Sequence, residues 1–268
     1  MTALAGYANR IAMVTGAGDG IGRMLATQLS AAGITVCVQD IREDAAAATA
    51  LAIGGGAFSM AFDISDREAV TAAAERFARD HGDLAMLWIN AGVGVGASLL
   101  DGKPDQVRWA YEVNVLGAIW TAQSFVPLLK GNPCHVGITA STAALRAPEG
   151  DFPLYAATKH GTMAVAEALS GELATKNIGC TILCPGLLNT EIWDGAKARP
   201  DRFGGERRTN PTIAGLWRNA KTPEIMWPDI ERVMTAGGGV LVCATDDGDT
   251  RAAMRQRIDK FEQGLVDI

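Results

Sequence analysis

Apolar residues gather into seven short runs, near 11–15, 34–39, 57–62, 84–89, 134–140, 178–184 and 239–243, and recur with helical period in longer segments between them. Short continuous apolar runs bounded by turn residues read as strands buried on both faces. Their alternation with helices predicts an α/β fold, a doubly wound seven-stranded parallel sheet with helices on both sides. Ligands of such sheets bind beyond the carboxyl ends of the strands, where strand order reverses. Two long helices are expected over roughly 104–129 and 153–175, and Gly237-Gly238-Gly239 reads as a turn into the last strand. No repeat or low-complexity linker divides residues 1–268, which read as one domain with a long segment at 190–220 and a polar, helical tail at 244–268.

Composition narrows the function. The 24 basic and 30 acidic residues give a net charge of −6, which argues against a nucleic-acid surface. Cys37, Cys134, Cys180, Cys184 and Cys243 contain no CxxC pair and fall mostly in predicted strands, so buried reduced thiols are expected and no metal site. The N-terminus has no basic region followed by an apolar core, and no apolar run reaches the ~18 residues that span a bilayer. A cytoplasmic protein without membrane contact is the expectation.

Candidate chemistry begins where the first run enters Thr15-Gly16-Ala17-Gly18-Asp19-Gly20-Ile21-Gly22 and then an amphipathic segment. In a strand–turn–helix unit, Gly16 permits the tight turn, Gly20 lets a pyrophosphate approach the backbone and Gly22 lets the helix pack on the sheet. The helix N-terminus offers free N–H groups to phosphates. Asp40 ends the second run, at a distance where an acid binds ribose hydroxyls and repels a 2′-phosphate. Asp19 points the same way, towards NAD over NADP, while Arg42 is the one dissenting charge. Downstream, Tyr155 and Lys159 stand four apart, on one face of a helix, with Ser141 upstream. A cation beside the phenol predicts a tyrosine pKa drawn down from about 10 towards neutrality, as a general acid/base requires. Each element has a plainer reading: turn glycines, Asp40 as a turn residue, a surface Tyr–Lys pair, Ser141 as a strand-end hydroxyl. Their joint occurrence favours a site.

From about residue 9 to 190 these motifs resemble the short-chain dehydrogenase/reductase family, which has a Rossmann fold. The likeness extends to Asp63-Ile64 on the adenine side, the turn Asn90-Ala91-Gly92, Asn114 on a helix, and Pro185-Gly186 with Leu188 and Thr190 beside the nicotinamide. It implies an NAD-dependent oxidoreductase interconverting a secondary alcohol and a ketone. Tyr155 would carry the proton and Ser141 would hold the substrate oxygen. Lys159 would acidify Tyr155 and bind the nicotinamide ribose, while Asn114 would hold a water linking Lys159 to solvent. Three features depart from the pattern. Ile89 precedes Asn90 where paired asparagines are usual. Ser141 lies fourteen residues before Tyr155, where thirteen is commoner and would select Thr142; Glu149-Gly150-Asp151 would loop out the extra residue. The usual Asp-Gly-Gly ending is missing.

The resemblance also places substrate contacts at Val93, Leu145, Phe152, Leu187, Ile192 and Trp193. Such an apolar, aromatic lid suits a bulky hydrophobic or aryl substrate. Trp193 and Trp217 have the alternative role of pinning the lid to the body, and Arg207 and Arg208 could reach an acidic group or be a solvated pair. Dimerisation of the family implies a homodimer or homotetramer, with Ala157, Gly161, Ala164 and Ala168 small enough for close packing between subunits or on the chain's own sheet. A catalytically silent NAD-binding scaffold is the alternative, which has no need of Ser141, Tyr155, Lys159 and Asn114 together.

Overall fold

The computed structural model describes residues 4–146, 152–207, 217–243 and 249–264. Every apolar run contains a strand: β1 Ile11–Thr15, β2 Thr35–Asp40, β3 Phe58–Ala61, β4 Met86–Ile89, β5 His135–Thr139, β6 Gly179–Pro185 and β7 Gly238–Cys243. All neighbours pair in parallel, in the order β3-β2-β1-β4-β5-β6-β7. The order reverses between β1 and β4, so a crevice opens there beyond the strand ends. Strand ends differ from the sequence reading by a residue or two, and β2 includes Asp40 as its last residue.

Alternate residues of each strand face opposite cores. Met13, Leu87 and Ile138 pack on one side with Val70 and Phe77 of α3 (Arg67–His81) and Phe125 of α5 (Gly117–Phe125). Val14, Val38 and Trp88 pack on the other with Leu25 and Leu29 of α1 (Gly20–Ala31) and Ile230 of α7 (Trp227–Thr235). Trp88 is fully buried because its cross-strand neighbour is Gly137, where an added Cβ would stand 2.2 Å from the ring. The Asp66 carboxylate caps α3, accepting from the backbone N–H groups of Glu68 and Ala69.

The helix expected over 104–129 is broken into α4 (Pro104–Tyr111), a π-helical turn at Glu112–Leu116, α5, and a 3₁₀ turn at Val126–Leu128. Pro127 cannot donate a helical N–H, which accounts for the end. The π turn carries Asn114 and widens the helix where it faces the crevice. The second long helix, α6, runs from Pro153 to Ala174. Gly161 packs on Val115 of its own chain, whereas Ala164 and Ala168 are exposed. Among the described residues the remaining α-helices named are α2 (Glu43–Ile53) and α8 (Asp249–Glu262), the latter forming from the tail. All five cysteines are free, four buried and Cys243 half-buried. No helix among the described residues is long and apolar enough to cross a membrane.

Candidate active site

Three strand ends are tied together at the mouth of the crevice. Thr15 Oγ1, closing β1, accepts from the N–H groups of Asn90 and Ala91 and donates to the Trp88 carbonyl. Asn90 Nδ2 donates to the Thr15 carbonyl at 3.0 Å, and its Oδ1 accepts from Thr139 Oγ1 of β5 at 3.0 Å. One asparagine suffices for the turn, and Ile89 in the other position is a core residue, 3% exposed. Gly16 takes a left-handed φ of 63°, and an added Cβ would stand 2.7 Å from Ala91 Cα. At Gly22 a Cβ would meet the Gly16 carbonyl at 2.1 Å, so α1 lies as close to the turn as glycine allows.

Asp19 stands at the N-cap of α1 but makes no capping bond. Its carboxylate turns to Arg42, at 2.6 Å, which leaves the first-turn N–H groups of α1 to an incoming anion. Asp40 accepts from the Gly18 N–H on one oxygen and from the Arg42 N–H on the other, both at 3.0 Å. Arg42 also lies 3.4 Å from Asp40 and 3.6 Å from Glu191, so three carboxylates surround this one cation. Burial pushes the Asp19 carboxyl above its usual range, and the pull of Arg42 offsets this only in part. Gln39 braces the same corner, accepting from the Gly16 N–H and donating to the Phe62 carbonyl. Asp63 accepts from Ser65 on one oxygen and from Arg202 at 2.7 Å on the other. That ties the segment after β6 to the loop after β3.

Ser141, two residues beyond β5, stands beside Tyr155, in the first turn of α6, near enough to draw its pKa down. Ser141, not Thr142, thus stands by the phenol, and its Oγ accepts from the Ala143 N–H at 3.1 Å. Lys159 Nζ lies 5.9 Å from the Tyr155 ring centroid and donates to the Thr139 carbonyl at 3.1 Å. The expected acidification of the phenol is not found in the protein alone. Burial pushes the Tyr155 pKa up to about 12, against a small downward pull from Ser141, and pushes Lys159 down to about 8. Desolvation by the surrounding protein dominates, although the Lys159 ammonium sits over the ring. Asn114 is a brace: Oδ1 accepts from the Val93 N–H at 2.8 Å, and Nδ2 donates to the Val93 carbonyl and to Thr158 Oγ1. Both amide hydrogens are spent on protein, so only an Oδ1 lone pair is left on this side chain for the water expected of it.

Two chambers meet at this point. A cleft runs along Gly16, Asp19, Gly22, Asp40, Asp63, Ile64, Asn90, Ala91, Gly92 and Lys159. Beside it a cavity of 1520 Å³ is lined by Ser141, Gly186, Leu188, Phe152, Leu187 and Trp193, among others. Ile21, Trp109, Tyr155, Pro185, Thr190 and Ile192 line both. Gly20 stands behind Thr190, a Cβ there being 3.1 Å from its side chain. Val93 lines the cleft, not the cavity, and Leu145 packs on the core without lining either. Trp217 lines the cavity, as do Arg207 and the α8 residues Arg257 and Phe261. Arg208 and the loop Glu149-Gly150-Asp151 lie outside the described residues. Sequence reasoning missed Trp109, Gln39, Arg199 and Arg202. None has a telling local spacing, because the fold brings each from a separate element.

Comparison with known proteins places these features in context. Residues 10–201 match the family model described as short chain dehydrogenase. The chain is 34% identical over 215 residues to the 1-deoxy-11-beta-hydroxypentalenate dehydrogenase of Streptomyces exfoliatus, covering 77% of this chain and 78% of that protein. It is 32% identical over 190 residues to mouse estradiol 17-beta-dehydrogenase 11, covering 68% of this chain and 63% of the relative, slightly less than two thirds of its length. Among solved structures, a short chain dehydrogenase/reductase from Burkholderia phymatum in complex with NAD superposes with a TM-score of 0.87 at 25% identity, over 97% of this chain and 96% of that one.

Proposed function

Because the chain belongs to the short-chain dehydrogenase/reductase family of oxidoreductases, we propose that it interconverts a secondary alcohol and a ketone with NAD, on a bulky hydrophobic or aryl substrate, with Tyr155 carrying the proton. The observation that supports this best is that Tyr155 lines both the cleft and the adjoining cavity, beside Ser141. A proton carrier has to touch the substrate while the substrate touches the cofactor, and Tyr155 stands at that junction.

The cleft fits a nicotinamide dinucleotide. Uncapped N–H groups at the start of α1 suit the pyrophosphate, and glycines keep the backbone bare there. Asp40 would take the ribose hydroxyls and Asp63 the adenine side. Asn90, Gly92, Pro185 and Thr190 would flank the nicotinamide. When bound, the nicotinamide gives or takes the hydride and, when oxidised, brings a positive charge. Three carboxylates around Arg42 favour NAD, since a 2′-phosphate would meet two negative charges in excess of the one positive.

The chain's own residues supply the proton chemistry. In ketone reduction the neutral phenol of Tyr155 donates its proton to the carbonyl oxygen as that oxygen gains charge. Ser141 donates a hydrogen bond to the same oxygen and steadies it. In alcohol oxidation the proton moves the other way, onto a phenolate. With its pKa at about 12 the phenol is fully protonated at neutral pH, the form needed for reduction. Lys159, held by the Thr139 carbonyl, would bind the nicotinamide ribose, and Asn114 keeps the Val93 turn and the α6 backbone in register. A cavity of 1520 Å³ exceeds the ~300–1,000 Å³ of common ligand pockets, which suits a large substrate.

The test is formation of reduced nicotinamide across aryl, alicyclic and aliphatic secondary alcohols, with NAD and NADP in parallel. Turnover with NAD on the bulkier members supports the reading. NAD binding without turnover on any alcohol or ketone would favour a silent scaffold.

A further inference from the structure

The cavity beside Tyr155 carries a charge pattern opposite to that of the chain. Among the described residues its charged lining is Arg146, Arg199, Arg207, Arg257 and Lys260 with one acid, Asp249, in a protein whose net charge is −6. The pattern centres on Arg199, which is 6% exposed and still lines the cavity. Its Nε donates to the Gly205 carbonyl at 2.9 Å, its Nη2 reaches the Gly204 carbonyl at 3.5 Å, and its plane lies 5.6 Å from the Trp109 ring centroid. Among the described residues no carboxylate forms an ion pair with it; Asp105 is near enough to be felt but pairs with Arg108. Burial and the charge of Arg207 both weaken its hold on its proton.

A buried guanidinium without a counter-ion is costly, and in folded proteins such charges are paired. Because Arg199 lines the cavity, a partner that completes it can reach it from there. Arg is also the side chain whose planar donors match an oxyanion. Trp109, on which Arg199 rests, lines both chambers, as Tyr155 does. An anion held by Arg199 therefore belongs to a molecule that shares the cavity with the catalytic tyrosine.

We propose that the substrate carries an oxyanionic group, a carboxylate or a phosphate, which Arg199 receives with Arg207 beside it, while the apolar and aromatic wall takes the body. This rests on the cavity being the substrate site. Trp193 and Trp217 in the wall give a readout that needs no turnover. Quenching of tryptophan fluorescence would be titrated with 2-naphthoate, 2-naphthyl phosphate and the neutral 2-naphthamide, using the full chain and the variants Arg199→Met, Arg199→Lys and Arg207→Met. One or both anions are expected to bind at least tenfold more tightly than the amide. The stronger of the two identifies the group. Arg199→Met should abolish the preference, Arg199→Lys should keep part of it, and Arg207→Met, at an exposed position away from the core, should reduce it. Equal binding of all three probes, or a preference that survives both methionine variants, overturns the proposal. A preserved preference for anions without turnover of any alcohol or ketone would instead count against the dehydrogenase reading alone.

Discussion

Replacing Asp40 by asparagine isolates the charge that sets cofactor choice. Asp40 has a side chain only 9% exposed, accepts from Gly18 and Arg42, and shares Arg42 with Asp19 and Glu191. Asparagine removes one negative charge and keeps an acceptor oxygen for only one of these two N–H groups. Two unit charges at ~4 Å interact by about 1 kcal/mol in water and about 4 kcal/mol at the effective dielectric of a protein surface. A 2′-phosphate carries more than one charge, so even a well-solvated site should discriminate by about 2 kcal/mol, roughly 30-fold. The ratio of kcat/KM for NADP over NAD should therefore rise roughly 30-fold in Asp40→Asn, mainly through the KM for NADP. Adding Arg42→Ala should remove most of the gain, because the freed guanidinium is what would receive the phosphate. Steady-state kinetics at low ionic strength measure both variants. A ratio within about threefold of the parent protein's, or a parent that prefers NADP, would refute the reasoning.

Other expected outcomes follow from burial and close contact. Lys159 is held at about 8 against 10.5 for a free lysine, so the unfolded chain binds the extra proton between those values. Its burial thus costs stability most below pH 8, by about 3 kcal/mol at the limit, and the cost fades as pH rises to 10.5. Lys159→Met should be more stable than the parent protein in urea at pH 7, lose that advantage near pH 10.5 and lack turnover; lower stability at pH 7 would contradict this. His135, fully buried against Thr181, is held at about 4 against 6.5. It stabilises the fold fully only above pH 6.5, and up to about 3 kcal/mol is lost as pH falls to 4. His135→Gln should flatten the urea midpoint across that window relative to the parent. Gly22→Ala should weaken NAD binding at least tenfold and lower Tm, since its Cβ would overlap the Gly16 carbonyl; calorimetry reads both.

The sheet was legible because its inner strands are buried on both faces and so show as apolar runs; the edge strands β3 and β7 are only partly buried, and β7 leaves Val240 and Val242 exposed. Strand ends were less legible: Asp40 pairs within β2, since a buried carboxylate that accepts two backbone N–H groups can extend a strand. Tyr155 and Lys159 could be found from their spacing, yet their acidity was misjudged. Spacing reveals the neighbouring charge but not the protein that surrounds it. Leu145 looked like a pocket residue from its position and faces the core instead. Arg199 and Arg202 were invisible because their partners, Trp109 and Asp63, lie far away in sequence. The break in the 104–129 helix was signalled only by Pro127, while the π turn at Asn114 left no pattern.

Substitution of Tyr155 by phenylalanine tests the central claim most directly, with NADH binding and ketone reduction measured on the same preparation. Phenylalanine keeps the ring that lines both chambers and removes only the hydroxyl. The account expects NADH affinity within about threefold of the parent and a kcat lowered by the ~10²–10⁴ that a positioned general acid contributes. Reduction of the ketone at an undiminished rate would contradict it.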